Sequence, residues 1–469
     1  MEKNAPRAFG LQDKVGYMFG DIAGDGCFVL SSTFLLKFYT DIMKLSPAIV
    51  GLMMTVVGFV CMFTTIVIGQ VVDHSEITKN GKFKPWILRM AAPLCLFNFL
   101  MYPSWFANMS TLFKLVWMFG TYLLYLSIFY EFIDVPFGSM ASVITGNPDE
   151  RTALSNWRSI GGTVAVTVVT AIAPLIVYQT KANGNVVLVG RSMTLFALAI
   201  SVFMFICYML LYFLTTERVK PKKDKKSDQK FKIKDLFSTI FATRSLMVLA
   251  LVVIIRELGN TGLQGMASYI YPDYFHSAVA QSIGGFMGTV VSFVVATFIT
   301  KVANRFGKKE IIALGCYLAA GILAIAYLIH THNAYLWITF YGIATVGIII
   351  YGAVSWALVP DIVDEVQVRS DRHRAGTVYS VFSLSRSIGQ ALSASVVGFM
   401  LTGVGYTPAK AMAGNAHIVN GIYNITCIVP LVAFLIVGLL LSFLYPLNKK
   451  TVHKNSEILK SRNEISENS

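Results

Sequence analysis

The chain has 469 residues, of which 55% are hydrophobic and only 14% are charged, and its mean hydropathy is +0.62. This composition lies outside the range of ordinary soluble domains and indicates a membrane protein. The net charge of +14 does not indicate a nucleic-acid partner, because the basic residues are spread over short segments between apolar runs.

Apolar runs long enough to cross a bilayer core of roughly 30 Å recur about twelve times along the chain. They lie near residues 15–40, 48–72, 86–107, 112–144, 155–179, 192–215, 243–271, 281–300, 310–330, 335–359, 376–403 and 418–446. The first run contains Asp21, Asp25 and Lys37 and lacks a small-residue cleavage site. We therefore interpret it as a retained helix rather than a signal peptide.

Basic residues collect in alternate segments between these runs. Most of them lie in 79–84, 217–234, 301–309, 369–374 and the two termini, whereas 103–111 and 272–280 hold almost none. Lys and Arg mark the cytoplasmic side of membrane proteins. We therefore expect an even number of spans in the plasma membrane, with both termini in the cytoplasm.

The two halves of the chain share landmarks in the same order. Asp25 stands sixteen residues before Asp41, and Glu257 stands sixteen residues before Asp273. The fifth run opens with "RSIGG" at 158–162, and the eleventh carries "RSIGQ" at 386–390. Parallel repeats of this kind are typical of transporters that bind their substrate between two bundles.

The longest polar segment divides the apolar runs six and six. We therefore predict an all-α membrane protein of the major-facilitator type, with 12 transmembrane helices in two pseudo-symmetric six-helix bundles. The predicted parts are an N-terminal bundle at 1–216, a basic cytoplasmic linker at 217–234, a C-terminal bundle at 235–447 and a polar cytoplasmic tail at 448–469. The segment 449–469 is polar enough to be disordered.

Enzymatic chemistry has no support in the sequence. The six cysteines all lie within apolar runs and form neither a CxxC motif nor a cluster with His, so we expect free thiols. No metal site, phosphate loop or nucleophile motif is recognisable. We predict no cofactor, and a protein that functions as a monomer in the lipid bilayer.

Several charged residues lie inside the apolar runs, where each costs at least about 2.5–3.5 kcal/mol unless it faces protein or water. Each could be a functional group or half of an ion pair that only ties helices together. They are Asp25, Glu131, Asp134, Arg158, Arg256, Glu257 and Arg386. Arg256 and Glu257 are adjacent and point about 100° apart on a helix, so we expect them to serve different partners. For Asp21, nearer the helix end, a cap or loop contact is an equal alternative.

Glu131 and Asp134 are three residues apart, which places both carboxylates on one helix face beside Tyr130. Pro136 follows within one turn and can bend the helix where a cavity opens. Two acids so close are not both ionised in a dry site unless a cation or Arg158 is near. The pair therefore indicates a proton or cation site, or a site for sugar hydroxyls.

Longer motifs resemble those of the glycoside-pentoside-hexuronide:cation symporters over nearly the whole chain. They are "FYTD" at 38–41, "GKFKPWIL" at 81–88, "IDVPF" at 133–137, "DERTALSNWRSIG" at 149–161 and "VPDIVDEVQVRSDRHRAGTVYSVF" at 359–382. The resemblance implies a transporter of a sugar or glycoside that works by alternating access, in which cation and sugar favour each other's binding.

The resemblance also implies site residues. Asp25 and Asp134 match acids that hold sugar hydroxyls, Tyr130 matches a neighbouring aromatic residue, and Arg158 matches an arginine of the sugar site. On the eleventh run we add Ser383, Arg386 and Ser387 to the predicted substrate site. Ser387 falls where the family has a Lys, with Arg386 one residue earlier.

The sequence departs from the family at the cation site. Cys61 and Thr65 stand where the second helix normally carries two Asp residues, and Thr64 stands at an accompanying Asn. Glu131 replaces a Thr of the fourth helix, and Gly138 replaces the Trp that stacks on the sugar. A carboxylate has been gained on the fourth helix while two were lost from the second.

Three coupling hypotheses follow, in order of preference. In the first, Glu131 is a single protonatable group and the protein is an H⁺ symporter. In the second, Thr64, Thr65 and Glu131 still hold Na⁺. In the third, coupling is lost and the protein is a facilitator or exchanger. A lone carboxylate suits H⁺ better than Na⁺, which takes several oxygens.

Two other functions stay open. A lysophospholipid carrier, as in an animal relative of the family, would suit the wider site left by Gly138, but the polar set Asp25, Asp134 and Arg158 favours a hydroxyl-rich ligand. A membrane sensor or scaffold would need a signalling or docking domain, and the segment after Tyr445 is only a short polar stretch.

Overall fold

The computed structural model of the protein describes residues 7–78, 80–219, 243–370 and 375–467. The predicted linker at 217–234 lies outside the described residues from position 220 onward, as do positions 371–374 of the basic segment 369–374.

The helices of the described residues follow the predicted apolar runs. They are α1 (Leu11–Asp41), α2 (Pro47–His74), α3 (Lys84–Leu100), α4 (Thr111–Ile144), α5 (Pro148–Val177), α6 (Gly190–Leu214), α7 (Arg244–Tyr274), α8 (Ala278–Phe306), α9 (Lys308–Ile329), α10 (Ala334–Ser355), α11 (Leu358–Ser370), α12 (Ala375–Gly403), α13 (Pro408–Met412), α14 (Ala416–Leu444) and α15 (Lys449–Glu467). Wider π-helical turns lie inside α4 and α5, at Leu124–Tyr130 and Val168–Ile172, and form the ends of α7 and α14, at Ile270–Tyr274 and Leu440–Leu444. The all-α class is confirmed.

Within the described ranges, ten helices are long and apolar enough to cross a membrane. The other two predicted runs coincide with α3, which has 17 residues, and α12, which has 29. The number of twelve spans therefore stays a prediction, although a helix stands at each predicted position.

Several elements were not anticipated from the sequence, among them α11, which lies largely between the predicted runs 335–359 and 376–403. A hairpin pairs β1 (Tyr178–Thr180) with β2 (Val186–Leu188), and Gln179 lies opposite Val187. The short helix α13 lies between α12 and α14. The prediction of a disordered tail is wrong for residues Lys449–Glu467, which form α15. This helix packs on α11, and contact with a neighbouring helix supplies order that the composition of the tail alone does not.

The described helices group into two compact units. The first unit comprises residues 1–225, 264–286 and 394–419, and the second comprises 226–263, 287–393 and 420–469. Helices α7, α8, α12 and α14 each contribute residues to both units.

In the first unit α1 is the central helix, and 72% of its most apolar window is buried. It packs chiefly against α5 and α6, and α3 packs against α6. Gly161 lets α5 approach α1 closely. A Cβ at this position would lie 2.4 Å from the carbonyl oxygen of Met18 in α1, so a larger residue would push the two helices apart.

The start of α3 is fixed by a carboxylate that is distant in sequence. Glu217 accepts hydrogen bonds from the backbone N–H groups of Lys82, Phe83 and Lys84, at 2.7, 2.9 and 2.8 Å. These N–H groups have no partner within the helix, and a negative charge at a helix N-terminus is favourable. Gly81, with φ +107°, provides the backbone turn that presents them.

In the second unit, α9 and α10 form the most extensive helix pair. A Cβ at Gly347 would lie 2.0 Å from the carbonyl oxygen of Gly315. The two glycines therefore let the helix backbones touch, as small residues do at helix contacts in membranes.

The buried side chain of Lys37 forms ion pairs with both Asp41 and Asp273, which occupy matching positions in the sequence repeat. Lys37 of α1 is 1% exposed, and its Nζ lies 2.8 Å from Oδ2 of Asp41 and 2.5 Å from Oδ2 of Asp273. Nζ also donates to the hydroxyl of Tyr406 at 2.7 Å, and it lies 4.5 Å from the ring centroid of Tyr269. All five residues belong to the first unit, so the cluster ties α1 to the end of α7 and to the segment after α12.

Replacing Lys37 by Ala is expected to destabilise the protein by about 3–5 kcal/mol, because it leaves the buried carboxylate of Asp273 and the partly buried carboxylate of Asp41 without their cation. The measurement is the unfolding midpoint of the purified protein in detergent. Lys181→Ala, at an exposed lysine of the hairpin, is the control and should change the midpoint little. Equal midpoints for the two variants would contradict the role given to Lys37.

Candidate functional site

A small cavity opens within the first unit. Carboxylates and aromatic rings line it together with small residues: Gly20, Asp21, Gly24, Asp25, Tyr130, Ile133, Asp134, Phe137 and Tyr208. The structure thus brings Asp25, Tyr130 and Asp134, three of the predicted substrate-binding residues, to the lining of a single cavity. Carboxylates beside aromatic rings suit a ligand with both hydroxyl groups and apolar ring faces.

Arg158 is held at this cavity by Asp21. Its Nε donates to Oδ1 of Asp21 at 2.7 Å, and its guanidinium carbon lies 5.0 Å from the ring centroid of Phe137. For Asp21 the sequence left a cap or loop contact open beside a transport role, and this pairing with Arg158 was missed. The signal was present, because Asp21 is one helical turn before Asp25 and shares its face.

The fifth helix approaches the acids of α1 very closely at Gly162. A Cβ at this position would lie 2.5 Å from Oδ2 of Asp25 and 2.8 Å from Oδ2 of Asp21. Only glycine leaves room for both carboxylates. The second glycine of "RSIGG" therefore shapes the cavity wall, a role that the sequence motif did not reveal.

Glu131 lies apart from this wall, against α2. The thiol of Cys61 donates to Oε1 of Glu131 at 3.1 Å, and Oε2 has no hydrogen-bond partner among the residues that the structure describes. The side chain is buried, with 8% exposed. The carboxyl that was gained on the fourth helix thus faces Cys61, one of the two positions at which the family's second helix carries an acid.

A π-helical turn precedes Glu131. Residues Leu124–Tyr130 form it, and α-helical geometry resumes at Glu131. Such turns insert one extra residue into a helix and are frequent at functional sites. Here the turn sets the direction in which Glu131 leaves α4.

Thr64 and Thr65, the other predicted cation-coupling residues, are engaged on their own helix. Both hydroxyls donate to the carbonyl oxygen of Cys61, at 3.0 and 2.7 Å. Their hydroxyl hydrogens are therefore used, while their oxygens can still accept or coordinate.

Three charged residues that the sequence placed inside apolar runs of the second unit form one cluster. Nη1 of Arg256 lies 2.5 Å from Oε1 of Glu257, and Nε of Arg386 lies 3.8 Å from the same oxygen. The expectation that Arg256 and Glu257 serve different partners is wrong. Their backbone positions do point apart, but the long arginine side chain can curve back to a neighbour's carboxylate.

The two serines predicted beside Arg386 do not converge on it through the hydrogen bonds seen here. The hydroxyl of Ser387 donates to the backbone carbonyl of Ser383 at 3.2 Å, one turn earlier on α12. A bond of this kind satisfies the serine within its own helix. The roles of Ser383, Arg386 and Ser387 in substrate binding stay predictions.

Comparison with known proteins decides the family. The family described as MFS/sugar transport protein matches residues 16–449. The chain belongs to the MFS/sugar transport protein family. The predicted resemblance to the glycoside-pentoside-hexuronide:cation symporters is confirmed, and this major-facilitator protein is a multi-pass membrane transporter for sugars or glycosides, not an enzyme.

Three curated relatives cover nearly the whole chain. The Uncharacterized symporter YjmB of Bacillus subtilis is 29% identical over 93% of this chain and 92% of its own length. The Isoprimeverose transporter of Lactiplantibacillus pentosus is 29% identical over 90% of this chain and 86% of its own. The Glucuronide carrier protein homolog of Escherichia coli is 28% identical over 93% and 92%.

Solved transporter structures share the fold. A bacterial homolog of the human lysosomal transporter Spinster, in an inward-facing and unoccupied conformation, superposes with a TM-score of 0.67 at 16% identity. The match covers 95% of this chain and 97% of the other. At this identity the likeness concerns the fold alone.

We expect Gly162→Ala to weaken substrate binding about tenfold or more, because the added methyl displaces both carboxylates of α1 from the cavity wall. The affinity of the purified variant for its substrate, together with the purified yield, is the measurement. Gly69→Ala on α2, where a Cβ would meet nothing within 4 Å, is the matched control. Normal binding by the Gly162 variant would remove Asp21 and Asp25 from the site.

Proposed function

We propose that this transporter moves its sugar or glycoside by alternating access and that transport is coupled to H⁺. The observation that carries the proposal is the cavity of the first unit, in which Asp25 and Asp134 stand beside Tyr130. Ionised carboxylates accept strong hydrogen bonds from vicinal hydroxyls. Arg158, held by Asp21, adds donors at the edge of the same site.

Glu131 supports coupling to H⁺ rather than to Na⁺. It is a buried carboxyl that has a thiol donor on one oxygen and no partner for the other among the described residues. A single carboxylate binds one proton well, whereas Na⁺ takes several oxygens at once. Na⁺ held by Glu131 with the hydroxyl oxygens of Thr64 and Thr65 is the second hypothesis, and uncoupled transport is the third.

A lysophospholipid substrate fits less well. The cavity wall presents three carboxylates, from Asp21, Asp25 and Asp134, and a lipid chain would have to cover them without offering hydrogen bonds. A wall lined by charged groups suits a ligand that offers hydrogen bonds better than an apolar chain. The aromatic rings of Tyr130 and Phe137 favour contact with the apolar face of a sugar ring.

The proposal also covers the membrane location, the orientation of the termini and the oligomeric state. The chain is placed in the plasma membrane with both termini in the cytoplasm, because its basic segments alternate with segments that lack Lys and Arg. The bundles at 1–216 and 235–447 move relative to each other during transport, and the monomer is the functional form.

Coupling is tested in vesicles that contain the purified protein. We expect a pH gradient without Na⁺ to drive accumulation, and Glu131→Gln to abolish accumulation while exchange of substrate across the membrane continues. Glu76→Gln, at an exposed glutamate, is the control. Accumulation driven only by a Na⁺ gradient would favour the second hypothesis, and no effect of either gradient would favour the third.

The substrate site is tested by binding across a panel of glycosides at two pH values. Asp134→Asn should lower the affinity for the bound glycoside about tenfold or more, since a charge-assisted hydrogen bond to a hydroxyl becomes a neutral one. Asp149→Asn, at an exposed residue near the start of α5, should not. Unchanged affinity in the Asp134 variant would exclude that residue from the site.

A further inference from the structure

We propose that the ion pair between Lys37 and Asp273 is a gating contact, which holds the outer ends of α1 and α7 together and separates when the outer side of the transporter opens. This inference goes beyond the proposed function, and it rests on that function because a gating contact requires alternating access. Its basis is the unequal placement of two aspartates around one lysine.

The ion pair lies on the side that the proposed orientation places outside the cell. Asp41 is the last residue of α1, and Asp273 lies in the last turn of α7. The segment 272–280 contains no Lys or Arg, which is typical of an outer segment. In the predicted organisation, α1 and α2 belong to the N-terminal bundle, whereas α7 and α12 belong to the C-terminal bundle.

A second contact between helices of the two predicted bundles lies in the first unit. The hydroxyl oxygens of Thr55 in α2 and Ser395 in α12 are 2.6 Å apart. A Cβ at Gly51 would lie 2.3 Å from the carbonyl oxygen of Ala394, so the backbones of α2 and α12 touch here. The outer parts of these helices are therefore closed against each other in this structure.

The two aspartates around Lys37 are not equivalent. Asp41 stands four residues later on the same helix, 2.8 Å from Nζ, so this pair forms within α1 alone. Asp273 belongs to α7, so its pair with Lys37 exists only while the two helices are in contact. Separation of α1 from α7 would leave Lys37 with Asp41. The lysine therefore keeps a counter-charge in both arrangements.

The charge balance weakens the bond to α7. Among the ion pairs of the described residues, Lys37 is the one base that contacts either aspartate. Two carboxylates that share one ammonium group repel each other, so the second contributes less than it would in a one-to-one pair. The negative charge in excess therefore favours release of Asp273, which water can solvate once the outer side is open.

Tyr406 supplies a partner for Asp273 after release. Its hydroxyl lies 2.9 Å from Oδ1 of Asp41 and 3.0 Å from Oδ2 of Asp273. A tyrosine has one hydroxyl hydrogen and donates to one carboxylate at a time. Tyr406 belongs to the same predicted bundle as Asp273, so it can donate to this carboxylate when α1 has moved away.

The alternative is a tie between α1 and α7 that never opens. A permanent tie is strongest with one acid for each base, as for Arg158 and Asp21, and it gains nothing from a competing acid on the lysine's own helix. The observed cluster instead gives each side its own partner, Asp41 for Lys37 and Tyr406 for Asp273. This arrangement suits a contact that breaks and forms again.

The test measures how often the outer side is open. Spin labels are attached to cysteines introduced at Leu112 of α4 and Lys410 of α13, two exposed residues in different predicted bundles. Double electron–electron resonance on the full chain in nanodiscs gives the distance between the labels and hence the ratio of open to closed molecules. The protein without introduced cysteines gives the background from the native thiols.

Two equal chemical changes should shift this ratio in opposite directions. Asp273→Asn leaves Lys37 paired with Asp41 and should raise the ratio about tenfold or more, because a charge-assisted bond made only in the closed form is weakened. Asp41→Asn leaves Lys37 without a counter-charge in the open form and should lower both the ratio and the rate of uptake. Asp149→Asn, at an exposed residue near the start of α5, is the control. General loss of stability cannot produce opposite shifts.

A cross-link tests whether the outer side has to open. The side chains of Thr55 and Ser395 are close enough for a disulfide when both are changed to Cys. The oxidised double variant, with complete cross-linking checked by mass spectrometry, should lose uptake and recover it with dithiothreitol. The single variant Thr55→Cys should keep its uptake under the same oxidant.

The outcomes separate this inference from the proposed function. Shifts of the two Asn variants in the same direction, or the same distances in every variant, would overturn the gating contact. Full uptake by the cross-linked protein would also overturn it. In each of these cases sugar uptake by the unaltered chain leaves the proposed function intact, whereas absence of that uptake removes both.

Discussion

The cost of placing a charge among apolar helices governs much of this structure. Lys37, Arg158 and Arg256 all lie on long apolar helices, and each is within hydrogen-bond distance of a carboxylate. The partner is on another helix for Lys37 and Arg158, and Arg386 approaches the partner of Arg256 from a different helix. Because an unpaired charge is so costly there, these contacts fix which helices are neighbours as firmly as the apolar packing does.

The clusters around Lys37, Arg158 and Arg256 differ in the number of acidic side chains for each basic one. Lys37 is outnumbered by two aspartates and is deeply buried, which suits a structural tie. Arg158 is matched by Asp21, which leaves Asp25 and Asp134 as further acids at the cavity wall. Arg256 and Arg386 outnumber Glu257. The three clusters therefore differ in the ratio of acidic to basic groups.

Hydropathy and loop charge were sufficient to predict the helical class and the location of the spans. The stretch around Asp134 also located Tyr130 and Asp134 at the cavity, and the first-helix match located Asp25. The ion-pair partner of each charged residue was harder to predict. Asp21 and Asp25 lie on the same face of α1, one turn apart, and only the packing of α5 decides which of them Arg158 reaches. The bond between Arg256 and Glu257 depends on side-chain flexibility that helix geometry alone does not describe. The order in α15 depends on contact with α11, which composition cannot show.

The π-helical turn at Leu124–Tyr130 makes this part of α4 sensitive to length. Each of its turns holds one residue more than an α-turn, and each residue of a helix rotates its successors by about 100°. Loss of a single residue there would swing Glu131 away from Cys61, while all the side chains of the site remained in the sequence. At this point of the chain the number of residues matters as much as their identity, so a deletion can remove a function that no substitution has touched.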